Sequence, residues 1–153
     1  MRKTFVILGA LLFFITIAQA QSKPSPSTVL KLGYVKDRDS GCGCRLSHNR
    51  LDLRNRRNLF ISSFDQSAYV NVDEKIMKLR LVAASKEKLD AKLGDRSWET
   101  YSHGSLRVRI DYIVSRLCDA NDEACEVIYY KTVITITRGR HRRVVKAVGI
   151  CGC

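Results

Sequence analysis

The chain has 153 residues, a net charge of +12 and six cysteines. Its length corresponds to one domain, and its 45% apolar fraction excludes an intrinsically disordered chain. Nine glycines and two prolines exclude a collagen-like or low-complexity architecture. We therefore expect a single folded domain with a strongly basic surface.

Residues 1–20 have the features of a secretory signal peptide. Arg2 and Lys3 precede an apolar run at 5–18, and small residues suit a cleavage site before Gln21. The run is shorter than the roughly 20 residues that span a bilayer, so a membrane anchor is the less favoured alternative. We expect a secreted or periplasmic protein in an oxidising compartment, with no transmembrane segment after signal removal.

After a flexible polar leader at 21–29, residues 30–153 are expected to form one β domain. Apolar and polar residues alternate most clearly at 106–114, and a β-branched and aromatic run occupies 128–136. Short strands joined by turns predict an all-β fold, a single antiparallel β-barrel or sandwich of about seven to eight strands. Residues 85–93 fit either one short helix or a polar loop.

The cysteines include two Cys-Gly-Cys segments, at 42–44 and 151–153. Residues i and i+2 of a strand share a face, so two antiparallel strands can place both thiols of one segment opposite both thiols of the other. A four-thiolate zinc site is less favoured, because the ligand spacing is too tight and the compartment is oxidising. The predicted disulfides are Cys42–Cys153, Cys44–Cys151 and, as a loop staple, Cys118–Cys125.

Glu99, Tyr101 and His103 are the candidate catalytic residues, since alternation places them on one face of a predicted strand. Such a face suits a small secreted hydrolase, of nuclease or glycosidase type. The favoured interpretation is the polar outer face of a strand, with Trp98 and Thr100 turned the other way. No hydrolase motif is present, so enzymatic activity stays open and a non-catalytic protein is favoured.

Asp119, Asn121 and Glu123 alternate like the first ligands of a calcium loop. Ala124 stands where such a loop needs glycine, and the bidentate glutamate is missing. A solvated turn is therefore favoured over a calcium site, and the sequence predicts no cofactor.

Two arginine-rich segments are the most prominent functional feature of the sequence. One spans 45–57 with Asp52 as its single acid, and the other spans 138–146 with none. If the cysteines pair the chain ends, we expect both segments near one end of the fold, where they would attract phosphate groups. The candidate anion-binding residues are Arg45, Arg50, Arg54, Arg56, Arg57, Arg138, Arg140, Arg142 and Arg143.

The leading hypothesis is an exported, non-catalytic β domain that binds an anionic partner through this arginine-rich end. The partner would be a cell-envelope polymer, a lipid head group, a nucleic acid or an acidic protein. Nucleic acid is less favoured, because no aromatic residues alternate with the basic segments. The alternatives are a plain solvated surface, a small hydrolase, or, by fold-level analogy with small periplasmic β-barrels, an inhibitor of a cell-wall hydrolase.

Overall fold

The computed structural model describes residues 29–36, 41–86, 90–119 and 125–153. The predicted signal peptide, most of the predicted leader, Asn121 and Glu123 lie outside these ranges. The secondary-structure elements are β1 (Leu32–Gly33), β2 (Gly43–Ser47), α1 (Arg50–Arg54), β3 (Phe60–Ser63), β4 (Ser67–Val72), β5 (Lys75–Ala84), β6 (Arg96–His103), β7 (Leu106–Arg116), β8 (Val127–Arg138) and β9 (His141–Gly152).

Strands β2 to β9 form a closed, eight-stranded antiparallel barrel. Each strand pairs with the next in the chain, and β2 pairs with β9 to complete the circle. β1 is an additional strand that pairs with β4. This topology confirms the all-β prediction and identifies the barrel among its two alternatives, because closure leaves no open sheet edge.

The closing seam between β2 and β9 has the register that the two Cys-Gly-Cys segments predict. Cys44 lies opposite Cys151, and the three disulfides of the structure are Cys42–Cys153, Cys44–Cys151 and Cys118–Cys125. Because all six thiols are paired, no thiolate is left to ligate zinc.

Glycines 43 and 152 are needed at the seam because the flanking strands come close. A Cβ atom on Gly43 would collide with the Ser62 carbonyl of β3, and one on Gly152 with the Glu126 carbonyl next to β8. Both contacts are with backbone, which cannot rotate away as a side chain can. The glycines therefore let the neighbouring strands pack directly against the disulfide-bonded pair.

The barrel core consists of the alternate, inward-facing side chains of every strand. Leu46, Phe60, Ile110 and Ile134 are completely buried, and Leu79 is 1% exposed. Burial of large apolar side chains of this kind is the main favourable contribution to folding. The alternation that predicts the strands thus also identifies the side chains of the core.

Antiparallel pairing gives the barrel two distinct ends. We call the end where β2 and β8 begin and β7 and β9 finish the disulfide end, because it carries all three disulfides. We call the opposite end, which carries α1 and the β8–β9 hairpin tip, the arginine end. Each long strand runs from one end toward the other, so side chains a few residues apart on the same strand can lie near different ends.

The single helix of the described ranges is not where the sequence allows one. Residues 85–86 and 90–93 are not helical, and 87–89 lie outside the described residues. Instead, Asn49 caps the short helix α1 through a 2.9 Å bond from the Asp52 amide to its side-chain oxygen. The five residues of α1 are too few for an apolar periodicity to show in the sequence.

Candidate functional site

Helix α1 is held at the arginine end by hydrogen bonds around one buried carboxylate. Asp52 accepts hydrogen bonds from the Asn49 side chain at 3.0 Å and from the Tyr34 hydroxyl at 3.3 Å. The Arg57 guanidinium lies 3.6 Å from the same carboxylate and 4.4 Å above the Tyr34 ring. With these groups fixed, Arg50 and Arg54 lie one helical turn apart and are both exposed.

The β8–β9 hairpin projects beyond the end of β2. β9 pairs with β8 as far as His141, whereas its pairing with β2 ends at Val148. Gly139 has a φ of 58° and forms the turn, since glycine adopts this left-handed conformation without strain. Arg138 donates to Asp73 at 2.8 Å, which links the hairpin to the β4–β5 turn.

The two arginine segments meet because α1 packs against β9. β2 leaves the seam in the direction of the β8–β9 tip, so the helix that follows it lies beside the projecting hairpin. Six arginines of the two segments are exposed and form no ion pair within the described ranges: Arg50, Arg54, Arg56, Arg140, Arg142 and Arg143.

One detail of the predicted arginine cluster is wrong. Arg45 does not belong to it, because this half-buried residue lies on β2 between Ile61 and Ile150, next to the disulfides. The remaining arginines of the two segments lie near one end of the fold, the end opposite the disulfides, because β2 and β8 both run from the disulfides toward that end.

The face with Glu99, Tyr101 and His103 points into the barrel. Tyr101 is 2% exposed and lies opposite Val108, and Glu99 lies opposite Ile110, both core residues. The interpretation of this face as the polar outside of a strand is therefore wrong. The outer face carries the alternate residues, among them Trp98, whose ring lies 4.4 Å below the Arg109 guanidinium.

Glu99 is at the centre of a hydrogen-bond network inside the barrel. Its Oε2 accepts from the Tyr101 hydroxyl at 2.9 Å and from the Tyr112 hydroxyl at 2.8 Å. Burial, followed by the charge of Glu99, raises the pKa of both tyrosines well above their ordinary value of 10.0. Both hydroxyls therefore stay protonated and act as donors.

Tyr112 is a member of this network that sequence analysis missed. Its alternation with Val108 and Ile110 places it on the apolar face of a strand, which indicates core packing. A hydroxyl on a core face needs a hydrogen-bond partner. The need for a partner was the one indication in the sequence that Tyr112 belongs to a polar network, and it did not identify Glu99 as that partner.

His103 is separated from the other two catalytic candidates. Its Nδ1 lies 3.0 Å from the Lys78 carbonyl, at the arginine end of β6. Four residues along a strand correspond to about 13 Å, and buried Tyr101 lies between His103 and Glu99. The three side chains thus share a face without forming one site.

Among the residues that the structure describes, no cluster of histidine, cysteine and acidic side chains could hold a metal ion. Of the calcium candidates only Asp119 is described. The described helix is not long and apolar enough to cross a bilayer. Comparison of the chain with protein-family models, curated proteins and solved structures finds no match. What the two ends bind therefore has to be inferred from their own residues.

Proposed function

We propose that the protein is a non-catalytic domain that binds an anionic, phosphate-bearing polymer or surface through its arginine end. The observation that carries this proposal is the set of six exposed guanidinium groups with no carboxylate partner in the described chain. A guanidinium group donates two parallel hydrogen bonds to phosphate oxygens, and several such groups on one surface attract a polyanion. Cell-envelope polymers, lipid head groups and nucleic acids share this phosphate chemistry.

The surroundings of these arginines support binding rather than a structural role. Arg57 and Arg138 are already paired, with Asp52 and Asp73, and contribute to the local fold. The six other arginines lie on two parts of the chain that the fold holds in place, α1 with the turn that follows it and the β8–β9 hairpin. Three disulfides support export to an oxidising compartment, where such polymers occur.

The hydrolase alternative has less support, because His103 and Glu99 lie toward opposite ends of the barrel. An acid and a base that act on one bond must both reach it, and the intervening Tyr101 is buried.

The test is binding of inorganic polyphosphate to the purified, oxidised protein, measured at several salt concentrations. About six phosphate contacts should weaken binding roughly 1,000-fold between about 50 and 200 mM NaCl, because counterions are released on binding. Replacing the six unpaired arginines with glutamine should weaken binding at low salt by about 100-fold or more and flatten the salt dependence.

The matched control removes the same number of positive charges from exposed positions away from the arginine end. It should weaken binding much less, since long-range attraction is screened at moderate salt. Equal losses in the two variants would show that net charge alone attracts the polymer and would overturn the proposed site. The control positions are Arg80, Lys86, Lys92, Arg96, Arg116 and Lys131.

A further inference from the structure

The disulfide end of the barrel opens into a cavity of about 480 Å³. Its walls combine aromatic and aliphatic side chains with serine and charged side chains, and the apolar part includes Tyr101, Tyr112, Tyr130, Leu81 and Ile128. The Tyr112 and Tyr130 rings meet edge to face, with centroids 5.3 Å apart. A cavity of this size and lining is typical of small-molecule sites, and eight strands leave just enough interior for one small ligand.

Among the described residues that line this cavity, Asp95, Glu99 and Glu126 carry carboxylates, and Glu99 is the one that accepts hydrogen bonds from the tyrosines. Both tyrosine hydroxyls donate to Oε2 of Glu99, and Oε1 accepts no hydrogen bond from a described residue. Lys86 and Arg96 also line the cavity, but neither forms an ion pair with Glu99 in the described chain. A carboxylate that is partly withdrawn from water is stabilised by a nearby positive charge, so Glu99 favours a cationic ligand.

The tyrosines add to this preference. The hydroxyls of Tyr101 and Tyr112 are committed to Glu99 as donors, so a ligand would meet these two side chains through the parts of their rings that line the cavity. The faces of aromatic rings attract ammonium groups, and the apolar wall residues suit a hydrocarbon body. An anionic ligand, in contrast, would meet the charge of Glu99 without a free donor from Tyr101 or Tyr112, and would have to pair with Lys86 or Arg96 instead.

We propose that the barrel cavity binds a small organic cation, an alkyl- or arylamine whose ammonium group contacts Glu99 Oε1 and whose apolar body lies among the tyrosines. This site lies at the disulfide end of the barrel, opposite the arginine end, so ligand binding there does not depend on polyanion binding.

The test compares three probes with the same apolar body: 2-naphthylethylamine, 2-naphthylethanol and 2-naphthylacetate, each titrated by calorimetry. We expect the amine to bind at least about tenfold more tightly than the alcohol, and the carboxylate to bind more weakly than both. Glu99→Gln keeps an oxygen that accepts from both tyrosines but removes the charge. It should lower the affinity for the amine about tenfold and leave that for the alcohol unchanged.

Glu74→Gln, on the β4–β5 turn at the arginine end, is the control with the same change in charge and should not affect amine binding. Equal affinities for amine and carboxylate would overturn the proposal, as would an unchanged preference in Glu99→Gln. Failure of all three probes to bind at about 1 mM would overturn it as well. The variant without the six arginines should bind the amine normally, which separates this test from that of the arginine end.

Discussion

The two ends of the barrel differ in chemistry although the same eight strands form both. Near the arginine end the interior is filled by completely buried aliphatic and aromatic side chains, such as Phe60 and Ile136, and the charges lie outside. Near the disulfide end the interior holds a carboxylate, three tyrosines and a cavity. The difference shows that alternation determines whether a side chain points into or out of the barrel, whereas position along the strand determines at which end it lies.

Strand β6 shows this difference within one element. Glu99 and His103 have the same orientation and are four residues apart, yet Glu99 lines the cavity and His103 lies at the arginine end. The seam shows the same difference, because β2 begins at the disulfide end and leads to α1 at the arginine end. Each end can therefore be changed by substitutions that leave the other intact.

The largest effect should come from opening the seam at the disulfide end. Replacing all four cysteines of the two seam disulfides with serine should cost about 5 kcal/mol of the free energy of unfolding, since each closes a loop of more than 100 residues. Removing Cys42–Cys153 alone should cost much less, because Cys44–Cys151 keeps the loop closed. Urea unfolding of the three proteins measures this, and equal losses in both variants would contradict the shared role of the two bonds.

A smaller loss of stability is expected from replacing single glycines, and it should be larger for a glycine of the seam than for one at the arginine end. Gly43→Ala should cost about 3 kcal/mol, because its Cβ meets the backbone carbonyl of Ser62. Gly104→Ala, in the β6–β7 turn, should cost about 1 kcal/mol, because its φ is 55° but the space around it is open. Thermal unfolding distinguishes them, and a larger loss for Gly104→Ala would show that the seam relaxes to accept a side chain.

The hydrogen bond from Tyr112 to Glu99 should contribute about 2 kcal/mol, as is usual for a buried bond to a charged group. Tyr112→Phe should therefore lower stability at neutral pH. In the native protein the tyrosine pKa values are raised, so stability is present below pH 10.0, the ordinary value, and is lost as the pH rises further. Above that pH, Tyr112→Phe should lose less stability than the native protein does. Equal losses of stability in the two proteins as the pH rises would contradict the assignment.

The sequence predicts the barrel strands and the seam because their patterns depend on local geometry. The alternation at 106–114 identifies the inward face of β7, and the spacing in each Cys-Gly-Cys segment specifies the register of β2 and β9. These features need no knowledge of the rest of the fold.

Other features depend on barrel closure and could not be predicted. The polar face of β6 looks like a solvated surface in the sequence, and only the barrel places Glu99 between Tyr101 and Tyr112. Helix α1 depends on Asp52, whose carboxylate contacts the nearby Arg57 and also Tyr34, a residue 18 positions earlier in the chain. The two arginine segments are visible in the sequence, but strand direction determines that they lie at the same end, opposite the disulfides.

The most direct test of the arginine end is a map of where a polyanion binds. Isotope-labelled protein is titrated with inorganic polyphosphate at about 50 mM NaCl, and chemical-shift changes are followed along the backbone. The account predicts that the largest changes cluster at 50–57 and 138–143, with none at Glu99 and Tyr112. Changes spread evenly over all exposed basic residues, or concentrated around the cavity, would contradict it.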